Sequence, residues 1–205
     1  MDSYITVKNS SHFEYEDKKS VFIGQAMPVS TEADAIAFID SVKKRYPDAR
    51  HHVYAYVLRE NSAMRFTDDH EPQGTAGMPV LDVIRKNGVT DVVIVVTRYF
   101  GGTLLGTGGL VRAYTSAAIG ALESAEIIRY DIYTSLQISV SYSDFGKISA
   151  ILADNGFRTE STLYDVGVTL EGKIIKNDLE KLKNALVEAT AGRVKFEIFG
   201  EEFGF

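Results

Sequence analysis

Arg98 and Arg112 bracket a stretch in which five of the chain's 17 glycines fall within nine residues, Gly101 to Gly109. Glycine costs backbone entropy, so such clustering predicts left-handed turns or close backbone approach. Gly106-Thr107-Gly108-Gly109 stands where the apolar run Val92–Val96 has ended and an amphipathic pattern through Leu110, Tyr114, Ala117, Ala121 and Leu122 begins. Free N–H groups and the positive end of a helix would meet there, which is a physical basis for anion binding. The two guanidinium groups could add fork-shaped donors to the same anion. Tyr99, Phe100 and Tyr114 could stack on bases, although aromatic residues beside a buried strand are more often core. The competing structural explanation is that the glycines only allow tight helix-on-sheet packing and that both arginines serve internal ion pairs.

A second constellation lies upstream. Asp68, Asp69, His70 and Glu71 offer hard carboxylates and an imidazole. Four consecutive residues seldom all point at one ion, so no metal is expected. The loop is instead expected to fold back on the glycine segment, with Asp69 or Glu71 pairing with Arg98 or Arg112, and Thr75 supporting it. His51 and His52 precede an apolar strand, whose period of two sends them to opposite faces. Lys43-Lys44-Arg45 and Arg50 form the densest basic cluster, which suits a solvated helix end. No G-x-S-x-G, HExxH or Walker A motif is present, and no catalytic residue is assigned.

The elements that would hold these residues follow from periodicity. Short strands run to about Val29. Thr31 with Asp34 opens a helix packed through Ala35, Phe38, Ile39, Val42 and Tyr46 and ended by Pro47. Val53–Leu58 is a strand, and 61–79 is a long loop. A short helix over Val80–Lys86 ends at Asn87-Gly88, and Val92–Val96 reads as a strand buried on both faces. Downstream, Leu136, Ile138, Val140 and Tyr142 alternate. Ser143 can cap a helix that ends at Asn155-Gly156. Two strands follow, Asn177 and Glu180 have capping-box spacing before a second helix, and Val194, Phe196 and Ile198 alternate again. That order is βαββαβ, the ferredoxin-like split motif. The expected division is 1–133 and 134–205, an α+β chain of two domains.

Composition narrows the function. The formal charge is −6 with 45% hydrophobic and 24% charged residues, which is ordinary globular chemistry. A protein that coats nucleic acid without specificity usually carries a basic excess, so any phosphate contact must be local and DNA is not an expected partner. Cysteine is absent, which removes thiolate nucleophiles and zinc ribbons. Met1 to Lys19 shows neither a basic n-region nor an apolar h-region, and no apolar run spans a bilayer, so a cytoplasmic protein without membrane contact is expected.

Gly77 through Gly106, GMPVLDVIRKNGVTDVVIVVTRYFGGTLLG, followed by Thr107 through Tyr114, resembles the signature of the IMPACT family in its bacterial form. Asp68 through Gly77 resembles the family's acidic-loop motif, and His51 with Ala55 its His-x-x-x-Ala strand. His70 stands where the family usually has glycine, and Val21 where a basic residue is usual. The resemblance covers the whole chain. It implies an N-terminal domain of the type shared by a small-subunit ribosomal protein and domain IV of elongation factor G, with a C-terminal domain resembling domain V of that factor. Eukaryotic members restrain a kinase that senses amino-acid starvation through an additional domain, and that partner is not carried over.

The resemblance implies a non-enzymatic translation regulator or an accessory factor that associates with the ribosome or structured RNA. Its expected recognition surface is Arg98, Tyr99, Gly101, Gly102, Gly106, Gly108, Gly109, Arg112 and Tyr114, supported by His51, Asp69, Glu71 and Thr75, with no cofactor. Two other classes remain open. The ribosomal-type fold also hosts ATP-dependent small-molecule kinases with a glycine loop before a helix, and a scaffold for a translation-related protein would look the same in sequence.

Overall fold

Val92 through Val96 sit at the centre of the N-terminal sheet, and their uniform apolarity has a simple geometric cause. The computed structural model describes residues 3–205. Strand β6 (Val92–Tyr99) lies between β3 (Ser20–Pro28) and β4 (His51–Val57), with β2 (Phe13–Asp17) and β5 (Met64–Thr67) outside them, giving the order β2-β3-β6-β4-β5. Every pairing in this sheet is antiparallel. Alternate β6 residues face opposite layers. Val93 and Val95 join Ala35, Ile39 and Val42 of helix α1 (Glu32–Arg45) on one face. Val92, Ile94 and Val96 join α2 (Gly77–Lys86) and α3 (Gly106–Ser124) on the other. A strand covered on both sides has no polar face to alternate with.

The helix starts are set by side chains. Thr31 caps α1, accepting from the Asp34 N–H at 3.2 Å, while the Asp34 carboxylate accepts from the Thr31 N–H at 3.1 Å. This is the expected capping box. The Asp68 carboxylate accepts from the Gly74, Ala76 and Gly77 amides and so closes the entry to α2. Helix α3 approaches β3 closely, and its small residues Ala113, Ala117, Ala118 and Ala121 are fully buried.

Two expectations need correction here. Residues 61–79 are not one loop. They contain β5, paired with β4, and the first turn of α2, in which Pro79 is tolerated because first-turn N–H groups have no helical partner. Helix α3 begins at Gly106, so the Gly106–Gly109 run is its first turn. Among the described residues, no helix is long and apolar enough to cross a membrane.

The chain divides into two compact units, with 4–129 in one and 130–205 in the other. From β7 (Ile127–Val140), most of which lies in the second, α4 (Tyr142–Asp154), β8 (Arg158–Tyr164), β9 (Val168–Ile175), α5 (Leu179–Thr190) and β10 (Lys195–Gly204) complete the order βαββαβ. Strands pair antiparallel as β10 with β7, β7 with β9 and β9 with β8, and β1 (Ser3–Val7) also pairs with β7. Leu136, Ile138, Ile148, Leu152, Leu170, Leu182 and Leu186 form its core. Helix α4 is capped by Ser141, which accepts from the Asp144 N–H, and not by Ser143. The expected Asn177 cap is also absent; a short 3-10 turn over Lys176–Asp178 leads into α5.

Candidate functional site

The strand β6 register places Arg98 opposite Phe22 on one side and His51 on the other. All three therefore point to the face covered by α2 and α3. Arg98 is only 6% exposed. Its Nη1 donates to Glu71 Oε1 at 2.5 Å, and the Tyr114 hydroxyl donates to the same oxygen at 2.8 Å. His51 Nε2 lies 3.9 Å from that oxygen, and His51 Nδ1 lies 2.7 Å from the Asp69 carbonyl. Burial and the Glu71 carboxylate push the Tyr114 hydroxyl far above its ordinary pKa, so it remains a donor. One buried carboxylate thus ties the 68–76 loop to β6 and α3.

The same loop is fixed by its neighbours. Asp69 Oδ2 accepts from the His52 N–H at 2.6 Å. Thr75, also buried, donates its hydroxyl to the Pro72 carbonyl at 2.6 Å. Asp69 and His70 have positive φ, 41° and 68°. The usual family glycine at position 70 therefore corresponds to a left-handed backbone position, which His70 occupies here. The carboxylates of Asp68, Asp69 and Glu71 have separate partners in separate directions. Among the described residues, no group of three or more side chains could hold a metal ion.

These contacts correct the expectation that Arg98 and Arg112 converge on one anion. Arg98 is buried and neutralised by Glu71, and Tyr114 is fully buried on the inner side of α3. Gly109 is buried as well. Tyr99 faces the α1 side, where its hydroxyl donates to Asp48 at 2.9 Å. Arg112, by contrast, is exposed, and a Cβ at Gly108 would lie 3.7 Å from its Nη1, so the guanidinium lies over the first turn of α3. That turn has no side-chain cap. Gly102 (φ 84°) and Gly106 (φ 71°) provide the left-handed turns that bring the chain into it.

Sequence reasoning left out the hairpin turn beside this surface. Lys18 and Lys19 join β2 to β3, with Asp17 and Ser20 as the closing pair. Both lysines are exposed and both have positive φ, 48° and 65°. The Ser20 hydroxyl accepts from the Gly101 N–H at 3.1 Å, and the Lys19 carbonyl packs directly against Gly101. A two-residue loop between apolar-alternating strands was the available signal.

On the opposite face, His52 is buried and its Nε2 lies 3.1 Å from the Tyr46 carbonyl. Burial lowers its pKa, against the pull of that carbonyl and of Asp69; Lys43 and His51 lower it further. A depressed histidine pKa gives stability that is present above the unfolded value of about 6.5 and is lost as pH falls through the folded one. Thermal melts should therefore shift downward on acidification below about pH 6.5. The shift should be smaller in His52→Gln.

Comparison with known proteins follows the same division of the chain. Residues 18–122 match the model of the Impact N-terminal domain, and 138–193 match a domain of unknown function (DUF1949). IMPACT family member YvyE of Bacillus subtilis is 36% identical over 194 residues, covering 94% of this chain and 89% of the relative. IMPACT family member YigZ of Escherichia coli is 35% identical over 182 residues, covering 87% and 82%. A solved structure described as a hypothetical protein superposes with a TM-score of 0.61 at 31% identity, covering 98% of each chain.

Proposed function

We propose, for a chain that belongs to the IMPACT family, a non-enzymatic role in the cytoplasm as an accessory factor of translation that binds RNA, free or in the ribosome. The carrying observation is the exposed, uncapped first turn of α3 with Arg112 lying over Gly108. Exposed backbone N–H groups at the positive end of a 19-residue helix favour a phosphate. The Lys18-Lys19 turn, packed against Gly101, adds positive charge beside the segment that leads into the first turn of α3. In a chain of net charge −6, this makes phosphate attraction local. The likeness of the two units to domains IV and V of elongation factor G, implied by the family, agrees with a ribosomal target.

Arg112→Ala should weaken RNA association by roughly ten- to a hundredfold, the effect of losing one charge-assisted contact. Its melting temperature should stay near that of the parent, because Arg112 is exposed. Cosedimentation with ribosomal subunits from a lysate, with and without ribonuclease, tests the larger claim. A protein that stays in the supernatant under both conditions, and binds no purified RNA, would overturn it.

A further inference from the structure

Phe100 is 46% exposed, yet its ring is not loose. The Arg98 guanidinium carbon lies 5.7 Å from the Phe100 ring centre and 5.4 Å from that of Phe22. Phe100 thus rests on a buried cation that Glu71 holds in place, while part of its surface remains open to solvent. An aromatic ring supported from below is a stacking surface already ordered before a ligand arrives.

The neighbouring hairpin turn carries a second irregularity. The β3–β6 ladder ends with Val21 opposite Tyr99, so the next residues, Ser20 and Lys19, run beside Phe100 and Gly101. A two-residue turn with both φ angles positive is normally Asn-Gly or a close equivalent. Here both positions are lysine. Non-glycine residues held in that region cost conformational energy, and such outliers cluster at binding sites. Asn-Gly would make the turn at lower cost but without charge.

We propose that Phe100 and the Lys18-Lys19 turn together hold one unpaired nucleotide, the base on the open face of the ring and a flanking phosphate on the lysines. This rests on the reading that the ligand is RNA and specifies its form: single-stranded or looped. Paired bases stacked within a helix cannot offer a face to Phe100, whereas an unpaired base can. An aromatic ring beside cations matches a ligand that is itself aromatic and anionic.

Fluorescence anisotropy with a labelled twelve-nucleotide RNA, free and as a blunt duplex, tests the assignment. The parent protein should prefer the single strand. Phe100→Ala and Phe100→Leu should each weaken that binding by about ten- to a hundredfold, while Phe100→Tyr retains it. Leucine keeps apolar bulk over Arg98, so its loss would mark the missing π face and not a disturbed core. Lys18→Asn combined with Lys19→Gly should improve the turn yet lower the salt dependence by about one unit of slope per lysine. If the parent and Arg112→Ala behave as RNA binders but the Phe100 and lysine variants match the parent, the nucleotide site is wrong and the RNA reading stands. Equal loss of single-strand and duplex binding in Phe100→Leu would also overturn the site. If the parent binds neither RNA, both readings fail, and a protein ligand for this surface takes their place.

Discussion

Replacing Glu71 with alanine is expected to lower stability by about 3–5 kcal/mol, the cost of leaving a buried charge without its partner. Arg98 is enclosed by Phe22, Phe100 and the loop, and Glu71 Oε1 is the carboxylate oxygen it meets. Water cannot easily replace that oxygen, because both side chains are nearly inaccessible, at 7% and 4%. Arg98→Met should cost a similar amount, since it strands Glu71 instead. The double variant Glu71→Leu with Arg98→Met should be less damaging than either single change, because two apolar groups leave no charge to solvate. Tyr114→Phe removes one hydrogen bond to a charged acceptor and should cost about 1.5–3 kcal/mol. Urea unfolding of the parent, Glu71→Leu, Arg98→Met and the double variant provides the cycle. Single variants that lose under 1 kcal/mol would show that the pair is well solvated and that the loop is held by other contacts.

That arrangement explains how much of the site could be seen in the sequence. Local signals were legible: the Thr31–Asp34 capping box, the two-faced burial of Val92–Val96 and the βαββαβ order all appear as read. The burial of Arg98 was not, because it depends on Glu71, 27 positions earlier, and on α3 closing over both. The option of a Glu71–Arg98 pair was available from sequence, but choosing it over an exposed anion site needed the sheet register. Strand β5 escaped notice because Met64-Arg65-Phe66-Thr67 is only four residues long and lies at an edge, with three of them exposed. Gly106–Gly109 looked like a loop because glycine has poor helix propensity, about 1 kcal/mol per residue below alanine. Helix α3 nevertheless includes them, anchored further along by the burial of Leu110, Ala113 and Tyr114. Ser141 had the better claim to cap α4, since Asp144 follows it by three positions, while Ser143 has no such partner.

Gly24→Ala is expected to destabilise the protein by about 1–3 kcal/mol, and Gly24→Val by more, through overpacking. Gly24 lies on β3 directly beneath α3, and a methyl group there would run into the Ala117 carbonyl and meet the Ala121 Cβ at 3.1 Å. The carbonyl belongs to the helix backbone, so a side-chain rotation cannot relieve the clash. Helix α3 would have to move away from the sheet and loosen the contacts made by Phe22, Ala26, Ala117 and Ala121. Its first turn carries Gly108, Arg112 one turn on reaches back over it, and Tyr114 further along bonds to Glu71. A displaced α3 should therefore lower both the melting temperature and RNA affinity, unlike Arg112→Ala, which should lower affinity alone. Measuring both properties on each variant separates positioning of the site from contact with the ligand. A Gly24→Val protein with parental stability would mean that α3 can shift without cost, and the close helix-on-sheet packing would then not hold the site in place.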